Sequence, residues 1–182
     1  MKMVTVGDCG PGGVQATAIK CSSGMDAGPI QGSAKGLLCA AMTYCGGSMA
    51  KGKLFSGGET GEILMHDGAP FKGQGQAIER YVGEFINAMA ICHRTNRLYV
   101  GTSGKKLAVF NTETGEKISQ AEGVHGKSVM AVVVLPEAHS ADVATCSSDN
   151  TIKLWSLDAE TNELKEEATL RQVDSEEEEI SR

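Results

Sequence analysis

The stretch whose residue types and spacing most resemble a chemical motif runs from Ala121 to Ser128 and reads A-E-G-V-H-G-K-S. It fits the relaxed P-loop pattern, in which alanine replaces the first glycine and backbone amides hold phosphates. Lys127 would contact the terminal phosphates and Ser128 would bind magnesium. The motif requires a helix after the loop, because the helix N-terminus helps to hold the anion. Residues 129–136 read V-M-A-V-V-V-L-P, which predicts a buried strand, so nucleotide binding is kept only as the alternative function.

Histidine and cysteine show no spacing typical of a metal or catalytic site. No histidines have ligand spacing, no G-x-S-x-G elbow occurs, and no serine or cysteine has a recognisable base partner in the sequence. The cysteines include no C-x-x-C pair and lie mostly in apolar stretches, which predicts buried, reduced thiols. We therefore predict no catalytic residue, no metal and no cofactor. The residues concerned are His66, His93, His125, His139, Cys9, Cys21, Cys39, Cys45, Cys92 and Cys146.

The charge is distributed unevenly along the chain. The net charge is −6 over 182 residues, and all of it arises after residue 158. A neutral body without clustered Lys and Arg argues against binding to nucleic acid. Residues 171–182 contain D-S-E-E-E-E and are predicted to form an acidic disordered tail; the alternative is a docking tail for a basic partner, adjusted by phosphorylation at Ser175. We predict no membrane association, because the longest apolar run, 129–135, is too short to span a bilayer.

A repeat of 44 to 45 residues dominates the sequence. Residues 54–67, 98–111 and 143–156 align without gaps, and each reads as a strand, a small polar turn and a second strand. His66 takes the position of a strand-end aromatic residue in the first copy. Another apolar segment precedes each hairpin, at 37–44, 85–92 and 129–135. Residues 115–119 predict a fourth strand behind the second hairpin, and residues 163–170 predict either the corresponding strand or a short helix.

The insertion at 67–83 follows the first hairpin, and we interpret it as a packed outer strand or as an exposed contact patch. Four strands in 44 or 45 residues is the period of a β-propeller blade, a four-stranded sheet that packs face-on against its neighbours. Residues 4–8 and 14–19 predict a worn copy of the second and third strands of a further blade. The period therefore predicts stacked four-stranded sheets along most of the chain.

The third copy resembles a WD40 repeat. His125 stands four residues before Val129, and the sequence S-S-D-N-T-I-K-L-W ends at Trp155. In the WD40 family a histidine, a Ser or Thr, a turn Asp and a strand-end Trp form a structural hydrogen-bond set. The resemblance implies that His125, Asp149 and Trp155, with Thr145 or Ser147, form this set here.

The resemblance implies an all-β fold, a WD40-like β-propeller fragment of about three to four four-stranded blades. The predicted divisions are a partial first blade at 1–34, blades at 35–82, 83–124 and 125–170, and the tail at 171–182. Propellers close with about four to eight blades. We therefore expect the chain to be the C-terminal piece of a longer protein with further blades before it; the alternatives are a ring completed by a partner chain and a decayed remnant without independent function.

The function expected from this resemblance is that of a non-catalytic protein-interaction scaffold. Its partners would be other proteins, contacted through loops at the blade ends. The glycine-rich segment 55–61 resembles turns of the echinoderm microtubule-associated-protein-like propellers. This narrower resemblance implies tubulin or another cytoskeletal protein as a partner and a cytoplasmic, cytoskeletal location.

Overall fold

The computed structural model describes residues 2–7, 15–20, 25–31, 36–43, 52–67 and 75–171. Every regular element in these ranges is a β-strand, as the sequence predicts for an all-β fold. The strands form four antiparallel sheets, and each sheet uses strands that are consecutive in the sequence. None of the described residues belongs to a helix that could cross a lipid bilayer.

Sheet 1 contains three strands: β1 (Lys2–Gly7), β2 (Gln15–Lys20) and β3 (Met25–Gln31). Sheet 2 contains β4 (Leu37–Met42), β5 (Lys53–Gly58), β6 (Glu62–Asp67) and β7 (Gln76–Arg80). Sheet 3 contains β8 (Ile86–Cys92), β9 (Arg97–Thr102), β10 (Leu107–Asn111) and β11 (Lys117–Ala121). Sheet 4 contains β12 (Val129–Val134), β13 (Val143–Ser147), β14 (Thr151–Leu157) and β15 (Leu164–Arg171).

The strand bounds show which of the structures considered from the sequence three segments adopt. Residues 163–170 form a strand, β15, and not a helix. The insertion at 67–83 contributes the outer strand β7, and the segment at 115–119 contributes β11. The division of the chain at 1–34, 35–82, 83–124 and 125–170 stays a prediction. The remaining residues of the predicted tail, 172–182, lie outside the described residues.

Apolar side chains hold the sheets face to face. Side chains alternate between the two faces of a strand, so Leu98 and Val100 on β9 point toward sheet 2 while Tyr99 points toward sheet 4. All three side chains are inaccessible to solvent. The cluster between sheets 2 and 3 is centred on Phe55, Ile63, Leu98 and Phe110, and the cluster between sheets 3 and 4 is centred on Tyr99, Leu107, Val129, Val143 and Trp155.

Two glycines set the spacing between successive sheets. A Cβ atom on Gly57 of β5 would lie 2.6 to 2.8 Å from Met89 and Ile86 of β8. A Cβ atom on Gly101 of β9 would lie 2.6 Å from the Val129 Cγ1 of β12. Both glycines stand at the same position of the repeat, so the second strands of sheets 2 and 3 let the first strand of the next sheet approach closely.

The turn between the second and third strands also repeats. One residue of each turn has a left-handed backbone conformation, namely Gly61 (φ 71°), Lys105 (φ 64°) and Asn150 (φ 64°). These residues occupy the same position of the repeat. Glycine has no steric penalty there, and asparagine tolerates this region better than most residues. The polar turn in the sequence pattern thus corresponds to one specific backbone geometry.

The same strand pairs contain a β-bulge in each of sheets 2, 3 and 4. The first and second strands of sheets 2, 3 and 4 shift register once, near the start of the first strand, and the third and fourth strands also shift once. The second and third strands pair without a shift. In sheet 1, β1 pairs with β2 without a shift, whereas β2 and β3 shift register between Thr17 and Ile19. The strands of sheet 1 thus have the register pattern of a second, third and fourth strand.

A test of the sheet spacing is the variant Gly101→Ala. We expect it to lower the free energy of unfolding by about 1 to 3 kcal/mol, because the added methyl group would force the closely packed sheets 3 and 4 apart. Urea unfolding followed by circular dichroism measures this change.

The matched control is Gly126→Ala, where a Cβ atom would meet Asp149 at an ordinary contact distance of 3.4 Å. Its free energy of unfolding should change by about 0.5 kcal/mol or less. Equal losses in the two variants would contradict the close approach at Gly101.

Candidate functional site

A continuous chain of hydrogen bonds connects the loop before sheet 4 with two of its strands. The Trp155 indole on β14 donates to the Thr145 hydroxyl on β13 at 2.9 Å. The Thr145 oxygen lies 2.8 Å from Nε2 of His125, which is in the loop before β12. On the other side of the ring, Nδ1 lies 2.8 Å from the Thr151 hydroxyl, which donates to Asp149 at 2.6 Å. The structure therefore brings together His125, Thr145, Asp149 and Trp155.

The Asp149 end of this chain and the neutral state of the His125 ring fix the direction of the hydrogen bonds. The indole N–H can only donate and an ionised carboxylate can only accept. Thr151 gives its one proton to Asp149, so Nδ1 of His125 donates to Thr151. Nε2 of the neutral ring then accepts from Thr145, which lies closer to it, at 2.8 Å, than to the Lys153 carbonyl, at 3.5 Å. Burial lowers the pKa of His125, and the nearby Asp149 carboxylate only partly offsets this effect. The neutral Nδ1–H tautomer of His125 thus satisfies every group in the chain.

Asp149 joins the loop before β12 to the turn between β13 and β14. Its carboxylate accepts hydrogen bonds from the Gly126 amide at 2.6 Å and from the Thr151 amide at 3.0 Å. Burial alone would raise the pKa of Asp149, but the bonds from Thr151 and Gly126 outweigh it and hold the pKa well below its usual range. Ser147, the other hydroxyl considered from the sequence, accepts from the Asp149 amide at 3.2 Å and supports the turn.

Sequence reasoning missed Thr151. Its hydroxyl bridges His125 and Asp149, since it accepts from one and donates to the other, and the Asp149 carboxylate also lies 3.3 Å from Nδ1 of His125. The available signal was the pattern D-x-T, in which an aspartate in a turn lies within reach of a hydroxyl two residues later.

Sheets 2 and 3 replace the Thr–Trp pair at the same repeat positions. In sheet 2 the positions of Thr145 and Trp155 are held by Ser56 and His66, whose hydroxyl and Nε2 are 3.2 Å apart. In sheet 3 both positions are apolar, Val100 and Phe110, and both side chains are fully buried. Burial lowers the pKa of His66, so this imidazole is neutral at pH 7. The hydroxyl residue and the ring that carries an N–H therefore occur together in sheets 2 and 4, and both are replaced by apolar residues in sheet 3.

Sheet 3 also replaces the turn aspartate, with a carboxylate from a different loop. Gly104 stands at the position of Asp149, and a Cβ atom on it would lie 2.1 Å from the Glu84 carboxyl carbon. Glu84 accepts from the Thr102 hydroxyl at 2.7 Å and pairs with Lys106 at 2.7 Å. The hydrogen bond with Glu84 raises the pKa of Lys106. The carboxylate thus fills the space that the turn leaves empty.

The segment from Ala121 to Ser128 lacks the geometry of a phosphate-binding loop. Strand β11 ends at Ala121 and strand β12 begins at Val129, so no helix follows the loop. The Ser128 hydroxyl donates to the Ser103 carbonyl at 3.0 Å, and His125 is part of the chain described above. The strand after Ser128 removes the helix N-terminus on which the nucleotide-binding alternative depends.

The other residues capable of chemistry are scattered. Among the described residues, no group of three or more His, Cys, Asp and Glu side chains is placed to hold a metal ion. The described cysteines, Cys39, Cys92 and Cys146, are free thiols. Burial raises the pKa of Cys39 to about 12, so this thiol is protonated at neutral pH and is a poor nucleophile.

An open cleft of about 1100 Å³ lies beside the His125 chain. Its lining includes His125, Asp149, Thr151, Lys153 and Glu166. Lys153 and Glu166 form an ion pair at 2.7 Å, while the other three residues belong to the hydrogen-bond chain. These polar groups bond to one another, so they stabilise the sheet edge.

The bulges in the first strands present side chains outside the regular sheet pairing. Leu38, Asn87 and Met130 are the extra residues of the bulges in β4, β8 and β12. Leu38 is 47% exposed and Met130 is 52% exposed. The amide of Asn87 instead donates to the Val129 carbonyl at 2.8 Å. Phe85, which directly precedes β8, is 47% exposed. We call Leu38, Phe85 and Met130 the inner-edge patch, since β4, β8 and β12 are neighbouring strands.

Comparisons with known proteins identify the architecture. No protein-family model matches the sequence, and no curated protein matches it. A chain in the crystal structure of the mitotic checkpoint complex matches with a TM-score of 0.71 and 16% identity, over 95% of this chain. Sqt1 of Chaetomium thermophilum, in a structure bound to the N-terminus of ribosomal protein L10, matches with a TM-score of 0.58 and 18% identity, over 79% of this chain.

Both of these proteins are WD40 propellers. The fold of this chain is a WD40-type stack of blades. The chain spans 50% of the length of the first solved chain and 36% of the second. Neither comparison supports the narrower resemblance to the microtubule-associated-protein-like propellers.

A test of the hydrogen-bond chain is the variant Thr145→Val. It leaves both the Trp155 N–H and the His125 Nε2 buried without a partner, which should lower the free energy of unfolding by about 2 to 4 kcal/mol. Chemical denaturation measures the loss. Thr145→Ser retains the hydroxyl and is the control; if serine restores no stability, the loss arises from packing and the chain is not what stabilises the sheet.

The neutral histidines predict a pH dependence of stability. The folded-state pKa values of His66 and His125 lie below the ordinary value of 6.5. The unfolded chain therefore binds protons more readily than the folded chain as the pH falls through about 6.5, and this destabilises the fold. We expect the urea midpoint to fall between about pH 7.5 and about pH 5.5.

The double variant Ser56→Val/His66→Phe installs the apolar pair of sheet 3 in sheet 2. It should retain only the pH dependence that arises from His125, so its urea midpoint should fall less than that of the wild-type chain over the same pH range. An unchanged pH dependence would show that the pKa of His66 is the same in the folded and the unfolded chain, which contradicts the lowered pKa.

Proposed function

We propose that the chain is a non-catalytic protein-interaction scaffold that binds a partner through the inner-edge patch. The observation that carries this proposal is the exposure of Leu38 on β4, Met130 on β12 and Phe85 directly before β8, next to sheets that are otherwise packed on one another. Apolar side chains on a rigid support can be buried by a partner at low entropic cost. Such side chains serve as anchors at protein interfaces.

The hydrogen-bonding pattern of the polar residues supports a binding function. His125, Asp149 and Thr151 bond to one another and to the backbone, so they stabilise the sheet and have little capacity left for proton transfer. The Glu84 carboxylate is likewise occupied by Thr102 and Lys106. In the described part of the chain, the residues most suited to chemistry thus connect loops to strands.

The solved structures with the same fold support protein partners. One belongs to the mitotic checkpoint complex, and the other is bound to the N-terminus of a ribosomal protein. The second case shows that a propeller can bind a terminal peptide segment. We therefore propose that a partner of this chain contributes a peptide with apolar side chains that fit between Leu38 and Met130.

The identity of the partner forms a narrower part of the proposal. The glycine-rich segment 55–61 resembles turns in microtubule-associated propellers. This resemblance makes tubulin or another cytoskeletal protein one partner class to test, with a cytoplasmic, cytoskeletal location. Co-sedimentation of the purified chain with assembled microtubules tests this class directly. Absence from the pellet at saturating tubulin would remove it.

A random peptide library displayed on phage tests the binding surface for any partner class. Peptides selected on the immobilised wild-type chain should contain apolar anchors. Their affinity should fall about tenfold or more for the double variant Phe85→Ser/Met130→Ser, because these side chains would form the anchor site.

The matched control is Val82→Ser. Val82 is 84% exposed and lies in the loop before Phe85, outside the patch. Its peptide affinities should equal those of the wild-type chain. If no peptide is enriched, or if the Phe85/Met130 variant retains full affinity, the proposed surface is wrong.

A further inference from the structure

Hydrogen bonds tie the inner-edge patch to the neighbouring turn and loop. Ser103, in the turn between β9 and β10, bonds twice to Phe85. Its amide donates to the Phe85 carbonyl at 2.9 Å, and its hydroxyl accepts from the Phe85 amide at 2.8 Å. The Ser103 carbonyl accepts from the hydroxyl of Ser128, two residues before Met130, at 3.0 Å. The charged residues of this turn and this loop therefore border the apolar side chains.

The Leu38 end of the patch is bordered by a carboxylate. In the turn between β5 and β6, the Glu59 amide donates to the Gly36 carbonyl at 2.8 Å. A Cβ atom on Gly36 would lie 2.9 Å from the Glu59 carboxyl carbon, so the carboxylate lies over Gly36, two residues before Leu38. Glu59 is exposed and forms no ion pair with any described residue, whereas Glu62 pairs with Arg80 at 3.7 Å. This end of the patch thus has an uncompensated negative charge.

The Phe85 and Met130 end is bordered by two lysines. Lys105 lies in the turn between β9 and β10, and Lys127 lies in the loop before β12. Both residues are exposed, and neither forms an ion pair within the part of the chain that the structure describes. Two positive charges therefore stand at the end of the patch opposite to Glu59.

The acids at this second end are occupied within the protein. Glu84 and Glu122 both pair with Lys106, at 2.7 Å and 3.8 Å. The Asp149 carboxylate accepts the hydrogen bonds described for the chain in sheet 4. The side chains of Glu84 and Asp149 are only 17% and 15% exposed. The exposed charges left for a partner at this end are those of the two lysines.

We propose that the segment bound at the inner-edge patch has a lysine or arginine on the Leu38 side of its apolar anchors and an aspartate or glutamate on the Met130 side. This inference rests on the proposed binding of a peptide at the patch. Strand β8 lies between β4 and β12, so the two charged borders are at opposite ends of the patch. A segment that binds in the opposite direction would bring like charges together, which is unfavourable. The apolar anchors thus provide affinity, and the charges select the direction of the segment.

Peptides selected on the wild-type chain from the random library test this charge pattern. We expect the enriched sequences to have a basic residue on one side of their apolar anchors and an acidic residue on the other. A synthetic copy with these two residues exchanged should bind about tenfold more weakly at low ionic strength, because each charge then faces a like charge. The difference should shrink in about 1 M salt, which screens exposed charges. Fluorescence anisotropy measures both affinities.

Double-mutant cycles assign each charge of the peptide to one border. Glu59→Gln should weaken the binding of a selected peptide about threefold, and it should have no effect on a peptide whose basic residue is replaced by glutamine. Lys105→Asn and Lys127→Gln should show the same coupling to the acidic residue of the peptide. Asparagine is chosen because Lys105 has a left-handed backbone, and Asn150 holds the same position of the repeat in sheet 4.

The matched controls are Glu163→Gln and Lys165→Gln. Both residues are exposed, and they lie in or directly after the loop before β15, at the other end of β14 from the turn that contains Asn150. These variants change the net charge by the same amount as the variants at the patch. They should leave the peptide affinities unchanged, since the effect requires a charge beside the anchors.

The charge pattern and the binding surface can fail separately. Selected peptides without charges, an exchanged peptide that binds equally well, or equal losses in the control variants would overturn the charge pattern. If those peptides still depended on Phe85 and Met130, the proposed binding surface would stand. A library from which no peptide is enriched would overturn both.

Discussion

The burial of one sheet face against the next is the interaction on which the rest of the structure depends. A lone small sheet buries too little apolar surface to be stable in water. Strands β9 and β10 avoid this limit because both of their faces are covered, and Leu98, Tyr99 and Val100 are consequently inaccessible to solvent. Successive sheets consequently lie so close together that there is no room for a side chain at Gly57 or Gly101. Each sheet in the stack is therefore stable only together with its neighbours.

This close packing explains why the polar positions of the repeat vary together. A buried N–H or hydroxyl without a partner is costly, so the aromatic residue and the hydroxyl must change as a pair. Sheet 4 has Trp155 with Thr145, sheet 2 has His66 with Ser56, and sheet 3 has neither polar group. The three residue pairs differ chemically, but each has an aromatic ring, Trp155, His66 or Phe110, at the same position of the third strand. Sheets 2 and 3 thus lack the Trp and Thr of the WD40 pattern, but the residues that replace them are also buried between the sheets.

The sequence predicts the strands well because their cause is local. Alternating apolar residues and a repeat of 44 to 45 positions locate the hairpins of sheets 2, 3 and 4, and the WD40 resemblance names four of the residues in the hydrogen-bond chain of sheet 4. What the sequence does not reveal depends on contacts between distant segments. The carboxylate of sheet 3 comes from Glu84, which lies 20 residues before the turn at Gly104 that it supports, and no local pattern indicates this. The bulges at Leu38, Asn87 and Met130 are equally hidden, since they arise from strand pairing.

The two exposed apolar surfaces call for different kinds of partner because they have different backbone contexts. The outer face of sheet 4 presents apolar side chains on all four strands, among them the half-exposed Val133, Ile152 and Leu170, so it is a broad and regular surface. The inner-edge patch presents isolated side chains on bulges, where the strand is locally released from its ladder and its side chains are redirected. Such separate anchors suit a peptide that inserts individual residues. The fold thus presents a broad apolar sheet face and, apart from it, separate apolar side chains on bulges.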